Sequence, residues 1–358
     1  MRLLFLATVT ILIASCGDLL GIEEIEYQAP VADGGLPADG ATDAKPDAPP
    51  AAVIQAPGCT AKMTCGLDGA NCCESRLLPG GTYSQGCEWS PTTPCITDIW
   101  GPEHPSTVGA FYLDTFEVSV ARFRVFMDDY NLWRANGNPT AGAGQHPRIA
   151  ESGWRSEWDQ YLPKNSDALT LQVFCTEVSN AFPTYNTSAE SDRYPINCIK
   201  WPLAFAFCVW NDGRLPTEAE WEFAAAGGEE NRLYPWGDAE PTSELANYNH
   251  AGIFPAPTLT VSHVGTHPKG VSRWGHHDLA GSVAEWLLDQ HSDTWYGSPA
   301  GNPCNDCANL GTPQDDMGWR GGNWSFPDSD LLSARRGYSA GLAISPQASG
   351  IRCARDPI

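Results

Sequence analysis

An irregular globular body, poor in long elements and stapled by disulfides, is the fold this chain predicts, on two observations. The 35 glycines and 29 prolines among its 358 residues interrupt it so often that only three stretches read as helices. The 13 cysteines stand behind an N-terminus that reads as an export signal, so disulfides are the default assignment in an oxidising compartment. The length leaves room for two average domains, or for one large irregular domain with attachments. The formal charge of −22 argues against nucleic acid or anionic lipid as a partner and favours cation binding.

Residues 1–15 carry one basic residue and an apolar run too short to anchor as a spanning helix, which marks a signal segment rather than fold. The Ile13-Ala-Ser-Cys16 ending resembles the lipobox of bacterial lipoproteins. That resemblance implies acylation of Cys16 and attachment to the cell envelope, with the outer membrane the expected site, anchored to the bilayer but not crossing it. Residues 16–57 are rich in Ala, Pro, Asp and Gly and cannot bury enough apolar area to fold, so they are expected to be a tether.

Residues 58–78 read as a small cysteine-rich segment, with the cluster Cys59, Cys65, Cys72, Cys73, Cys87 and Cys95 running past its end. Loops this short need disulfides. Zinc is the competing reading, without paired Cys-x-x-Cys halves or a nearby histidine to support it. Which cysteine joins which stays open.

Residues 79–358 are expected to form the main domain. Its first helix spans about Val118 to Asn131, where Val120, Phe123, Phe126, Met127 and Tyr130 recur at helical spacing. The second, about Pro202 to Trp210, is apolar nearly all round and so buried, and it carries Cys208. The third starts at Thr217, with Glu220 placed to complete a capping box, and ends at Gly227.

The segment Arg214-Leu-Pro-Thr-Glu-Ala-Glu-Trp-Glu-Phe-Ala-Ala-Ala-Gly-Gly228 resembles the most recognisable stretch of the formylglycine-generating enzyme, or sulfatase-modifying factor, family. Further pieces match in the family's order: Gly80-Gly-Thr-Tyr, Phe116-Glu-Val-Ser-Val, Tyr194-Pro-Ile-Asn with Trp201 to Trp210, Tyr234-Pro-Trp-Gly237, Gly275 to Trp286, Arg320-Gly-Gly-Asn-Trp324 and Gly350-Ile-Arg-Cys353. The resemblance implies a mixed α+β fold, low in regular secondary structure and related to C-type lectin folds. It also implies a disulfide between Cys208 and Cys353.

Family enzymes convert a sulfatase cysteine to formylglycine and hold Cu(I) on a spaced pair of cysteines, because a soft ion that captures a thiolate wants soft thiolate ligands. Those two positions fall here on Phe326 and Leu331. Neither binds copper, so the oxidase activity is disfavoured, and a residual catalytic set would have to come from Asp328, Asp330, Arg335, Arg336 and Tyr338. Cys304-Asn-Asp-Cys307 has redox spacing but no following helix, and is read as structural in preference to a redox or copper role. No histidine pattern for non-haem iron is present, with His276 and His277 adjacent and His250, His263 and His267 scattered.

The stretch Gly275 to Trp286 resembles the family's calcium loop and implies side-chain oxygens from Asp278 and Glu285 with main-chain oxygens from Gly281 and Val283, donors that suit a hard cation. A weaker second calcium site would use Asn247 and the carbonyl of Tyr248, although Asn249 to Ser262 supplies no carboxylate for its other half. The expected function is therefore a lipid-anchored, calcium-stabilised binding module for a protein, peptide or glycan. The alternative is a diverged oxidoreductase of the superfamily acting on a protein or small-molecule thiol.

Overall fold

Helix formation follows local signals where the caps are strong. The computed structural model describes residues 52–57, 59, 63–87, 101–176, 182–248, 261–339 and 348–357, the side chains of residues 338 and 339 apart. The signal segment, Cys16, most of the tether and Cys95 lie outside the described residues. Helix α1 (Val120–Ala135) begins at Ser119, whose hydroxyl accepts the Arg122 N–H at 3.3 Å. Its buried stripe of Val120, Phe123, Phe126, Met127 and Tyr130 docks against α3 (Trp201–Trp210), with Phe123 on Phe207 and Phe126 on Trp210 at ring separations of 5.5 and 5.3 Å. Between them in sequence lies α2 (Ser166–Val173), which the hydrophobic pattern did not announce; Asn165 caps it by accepting the Ala168 N–H at 2.9 Å.

Helix α4 (Glu218–Ala226) has a complete capping box. The Thr217 hydroxyl accepts from Glu220 N–H at 3.1 Å while the Glu220 carboxylate accepts from Thr217 N–H at 3.0 Å. Gly227 closes the helix at φ 73°, a left-handed conformation that a side chain would strain.

The strands are short and pair across long sequence distances. β1 (Val53–Gln55), β4 (Glu74–Leu78), β7 (Phe111–Asp114) and β13 (Ala354–Arg355) form one antiparallel sheet in that order. β2 (Thr64–Cys65) and β3 (Ala70–Asn71) make a separate ribbon, and β5 (Gly81–Gln85) pairs β6 (His104–Val108) beside β9 (Cys304–Asn305). β8 (Ala284–Gln290), buried along nearly its whole length, lies between β10 (Met317–Arg320) and β12 (Ser349–Gly350), with β11 (Gly337–Ser339) at the edge. The result is an α+β architecture. The ordered sheet starts earlier than the sequence suggested: β1 lies inside the stretch assigned to the tether, and β4 carries the cysteine-rich segment into the main body rather than leaving it apart.

Among pairs with both cysteines described, five disulfides fasten these loops: Cys59–Cys73, Cys65–Cys72, Cys175–Cys198, Cys208–Cys353 and Cys304–Cys307. Cys208–Cys353 ties α3 to the C-terminal segment across 145 residues, whereas Cys304–Cys307 is local. Among the described residues no helix is long and apolar enough to cross a membrane.

Charge pairs buried in the core join one motif to another. Arg214 holds Glu220 through two contacts at 2.7 Å. Arg320 reaches from β10 to α4, meeting Glu218 at 3.1 Å and Glu222 at 2.6 Å, and Arg336 chelates Glu218 from the far side at 2.9 and 3.0 Å. Arg352 clamps Glu285 at 2.7 to 2.9 Å, and Trp221 donates its indole N–H to the same carboxylate at 2.7 Å. Arg122 and Arg355 bracket Asp114. Burial alone would raise both carboxylic acids, but the guanidiniums outweigh it and hold Asp114 and Glu218 at about 2. Removing one partner from such a pair leaves an uncompensated buried charge, which makes the motifs mutually dependent.

Candidate functional site

The loop that follows β10 decides whether thiolate chemistry is available. Gly321 and Gly322 turn it with φ of 94° and 67°, and a Cβ on Gly322 would lie 2.7 Å from the Asp330 carbonyl, so glycine is required there. The chain then delivers Phe326 to the Trp319 ring, 5.8 Å between centroids. Leu331, 1% exposed, goes into a separate apolar cluster with Tyr234, Ala246, Ala280 and Leu332. Both positions are thus packed hydrocarbon, in different parts of the core.

The polar residues of this loop are engaged with one another. Asp330 accepts from Arg335 at 2.5 Å, and Arg336 is held by Glu218 and lies 4.1 Å over the Tyr296 ring. Asp328 starts a short 3-10 turn and is exposed. The Tyr338 side chain is outside the described residues. All 11 described cysteines are disulfide-bonded, Cys304 and Cys307 to each other, so none of them offers a thiolate.

The loop from Gly275 to Trp286 gathers acidic groups instead. Asp278 (φ 59°) and Ser282 (φ 56°) are left-handed, and Asp278 accepts the Gly265 N–H at 2.5 Å. A Cβ on Gly281 would stand 2.3 Å from the Asn247 carbonyl, so this glycine allows the strand-like approach that lets Ser282 N–H donate to Asn247 at 2.9 Å. Residues of the two suggested calcium sites, Asn247 and Gly281, are therefore neighbours, while Tyr248 points its hydroxyl to the Pro241 carbonyl at 2.8 Å. Residues 249–260, the other half of the weaker site, lie outside the described residues.

Sequence reasoning missed Glu117. It enters from the segment between β7 and α1, fully buried, and accepts from the Ser282 hydroxyl at 2.9 Å and from Val283 N–H at 3.0 Å. Its position inside the matching Phe116-Glu-Val-Ser-Val piece was the available signal. Burial, then the charges of Asp278 and Glu285, push its pKa well above the carboxylate range, against the weaker pull of Arg352. Three buried or nearly buried carboxyls thus share one guanidinium. Such an excess is relieved either by a proton on Glu117 or by a cation. Asp278, Glu285 and the carbonyls of Gly281 and Val283 are chemically suited to a hard ion, although Glu285 already has Arg352 and Trp221 as partners. Among the described residues no group of three or more acidic, histidine or cysteine side chains converges as metal ligands, so such an ion would depend on main-chain oxygens.

His276 and His277 do not act as a ligand pair. His276 is fully buried, where desolvation and then Arg352 hold its pKa well below the usual imidazole value, and His277 stacks on Phe116 at 4.8 Å. His263 packs against the Tyr194 ring, and His267 contacts the Ser262 hydroxyl at 3.0 Å.

Residues 68–357 match the family described as the sulfatase-modifying factor enzyme 1-like domain. The formylglycine-generating enzyme of Streptomyces coelicolor is 30% identical over 298 residues, covering 78% of this chain and 88% of that protein. The inactive C-alpha-formylglycine-generating enzyme 2 of Mus musculus is 27% identical over 297 residues, covering 77% and 84%. Among solved structures, PvdO from Pseudomonas aeruginosa superposes with a TM-score of 0.56 at 21% identity, covering 87% of this chain and all of that one, a likeness of fold.

Proposed function

The chain belongs to the sulfatase-modifying factor enzyme 1-like family, and we propose that it is a member without formylglycine-generating activity, acting as a calcium-stabilised binding module. One observation carries this reading: Phe326 and Leu331 stand where the chemistry needs paired sulfur, and both are built into apolar packing. The bonded state of every described cysteine supports it further, because Cu(I) capture requires free thiolates.

In this reading calcium takes side-chain oxygens from Asp278 and Glu285 and carbonyl oxygens from Gly281 and Val283, and balances the carboxylate excess around Glu117. The ion would stiffen the loop that leads into β8, a strand buried along nearly its whole length. Asn247 and the Tyr248 carbonyl are not proposed as a second site, since the Asn247 carbonyl already accepts from Ser282 N–H and its side-chain oxygen from Ser262 N–H.

The N-terminal segment places the module on the outside of a membrane through acylated Cys16, with the outer membrane of a bacterial envelope as the proposed location. The tether would hold the folded body away from the bilayer, and the acidic surface suits a neutral or cationic protein, peptide or glycan partner. A diverged thiol oxidoreductase would need its reactive groups elsewhere than these positions.

The test is to incubate the purified protein with Cu(I), dioxygen and a Cys-x-Pro-x-Arg peptide and follow the peptide by mass. The cysteine is expected to remain unchanged. Conversion to formylglycine would overturn the reading.

A further inference from the structure

The apolar cluster that holds Leu331 carries an aromatic patch at its edge, formed by Tyr234, Trp236 and Tyr248. The turn Tyr234-Pro-Trp-Gly237 is closed by two reciprocal bonds, Tyr234 N–H to the Gly237 carbonyl at 3.0 Å and Gly237 N–H to the Tyr234 carbonyl at 2.9 Å. The Tyr234 and Trp236 rings are nearly parallel, 5° apart with centroids at 5.1 Å, and the Trp236 indole N–H donates to the Ala239 carbonyl at 2.9 Å. That bond sets the partly buried indole beside Glu240. The Tyr248 hydroxyl donates to the neighbouring Pro241 carbonyl at 2.8 Å, and Ser333 N–H donates to the Leu233 carbonyl at 2.8 Å, which brings the loop of Asp328 to the same turn.

The acids of this surface are unmatched. Glu240 and Asp328 are exposed, and neither forms an ion pair with a described residue. The basic residues nearest in sequence are committed elsewhere, Arg232 to Glu230 at 2.7 Å and Arg335 to Asp330 at 2.5 Å. Tyr234 adds an independent observation: its side chain is 7% exposed, yet its hydroxyl has no hydrogen-bond partner among the described residues. Burial, then the charges of Glu240 and Asp328, raise its pKa, and the same two acids act on the Tyr248 hydroxyl. Among the described residues no guanidinium or ammonium opposes them there. The Tyr234 hydroxyl therefore sits in an electronegative recess with hydrogen-bonding capacity unused.

We propose that this surface binds the cationic side chain of a peptide partner. Two carboxylates and a phenolic oxygen accept from N–H donors, and the electron-rich indole face attracts the positive charge. The aromatic stack favours an organic cation over a bare metal ion, which wants oxygen ligands around it. The assignment rests on the reading of the chain as a binding module and names the place and charge of its partner.

The experiment titrates the full chain, with calcium present, with a lysine-containing pentapeptide otherwise of glycine and with its arginine and norleucine counterparts. Binding is followed by NMR at the Trp236 indole N–H, assigned through Trp236→Phe. A cationic peptide binds with a Kd of about 1 mM and the norleucine peptide does not. Glu240→Gln combined with Asp328→Asn weakens binding about tenfold, and Tyr234→Phe, which keeps the ring stack, about threefold, with Tm unchanged. The double replacement removes only two of 43 acidic residues, so a loss of that size locates the site rather than the general attraction of an acidic chain for cations. Equal binding by the norleucine peptide, wild-type affinity in the double variant, or no cationic peptide bound at about 10 mM overturns the proposal. The peptides contain no cysteine, so their binding is read apart from formylglycine formation, and the site can fail while the inactive reading stands.

Discussion

Glu218 sits between two arginines that come from different motifs, so its replacement by glutamine is a direct probe of the core. The change keeps the shape and removes the charge that Arg320 and Arg336 share. Burial raises the acid's pKa, and the two guanidiniums overcome that and lower it from 4.5 to about 2. A shift of that size corresponds to roughly 3 kcal/mol at neutral pH, at about 1.4 kcal/mol per unit. Breaking a buried pair on one side typically costs about 3 to 5 kcal/mol, which agrees. Arg320 retains Glu222 and Arg336 retains the Tyr296 ring, so the lower end of that range is expected. Urea unfolding of both proteins with disulfides intact supplies the number. The pH dependence supplies a second check. Because the folded pKa lies below the unfolded one, the stabilisation is fully present above about pH 5 and is lost as pH falls toward 2, so the gap between wild type and Glu218→Gln closes across that window. A difference below about 1 kcal/mol at pH 7, or one that does not change with pH, would refute the reasoning.

Two further predictions bear on the metal loop and the disulfide frame. Calcium at a hundredfold excess over its Kd raises stability by about 2.7 kcal/mol, seen as a higher Tm that EGTA reverses; Asp278→Ala abolishes the calcium-dependent part, and a Tm indifferent to calcium contradicts the site. The double replacement Cys208→Ala with Cys353→Ala opens a loop spanning 145 residues and destabilises by about 5 kcal/mol in the chain-entropy model, measured by urea unfolding; a loss under 1 kcal/mol contradicts that model here.

Much of the fold was legible where the signal is local. The capping box at Thr217, the all-round apolar character of α3 and the helical spacing of Val120, Phe123, Phe126, Met127 and Tyr130 in α1 are all read from residues within a few positions of each other. Helix α1 runs four residues past Asn131, to Ala135, because nothing before Asn136 stops it. Helix α2 announced itself only through Asn165 and Asp167, a cap and a first-turn acid, since two buried residues, Leu169 and Val173, make too weak a stripe. The sheets were not legible. β1 and β13 share a sheet although nearly the whole chain separates them, and pairing at that distance leaves no local trace.

The same division governs the site. The substitution at 326 and 331 is a matter of side-chain identity and was plain from the motif count. Glu117 became part of the acidic loop only through tertiary packing, as did the engagement of Glu285 by Arg352 and Trp221.

The account stands on the absence of a thiolate pair for copper among the described residues, and competitive titration of the oxidised protein with Cu(I) against a chelating indicator measures that directly. The account predicts that the indicator keeps the metal. One-to-one transfer of Cu(I) to the protein, with a sulfur-to-copper signature in its absorption spectrum, would contradict it.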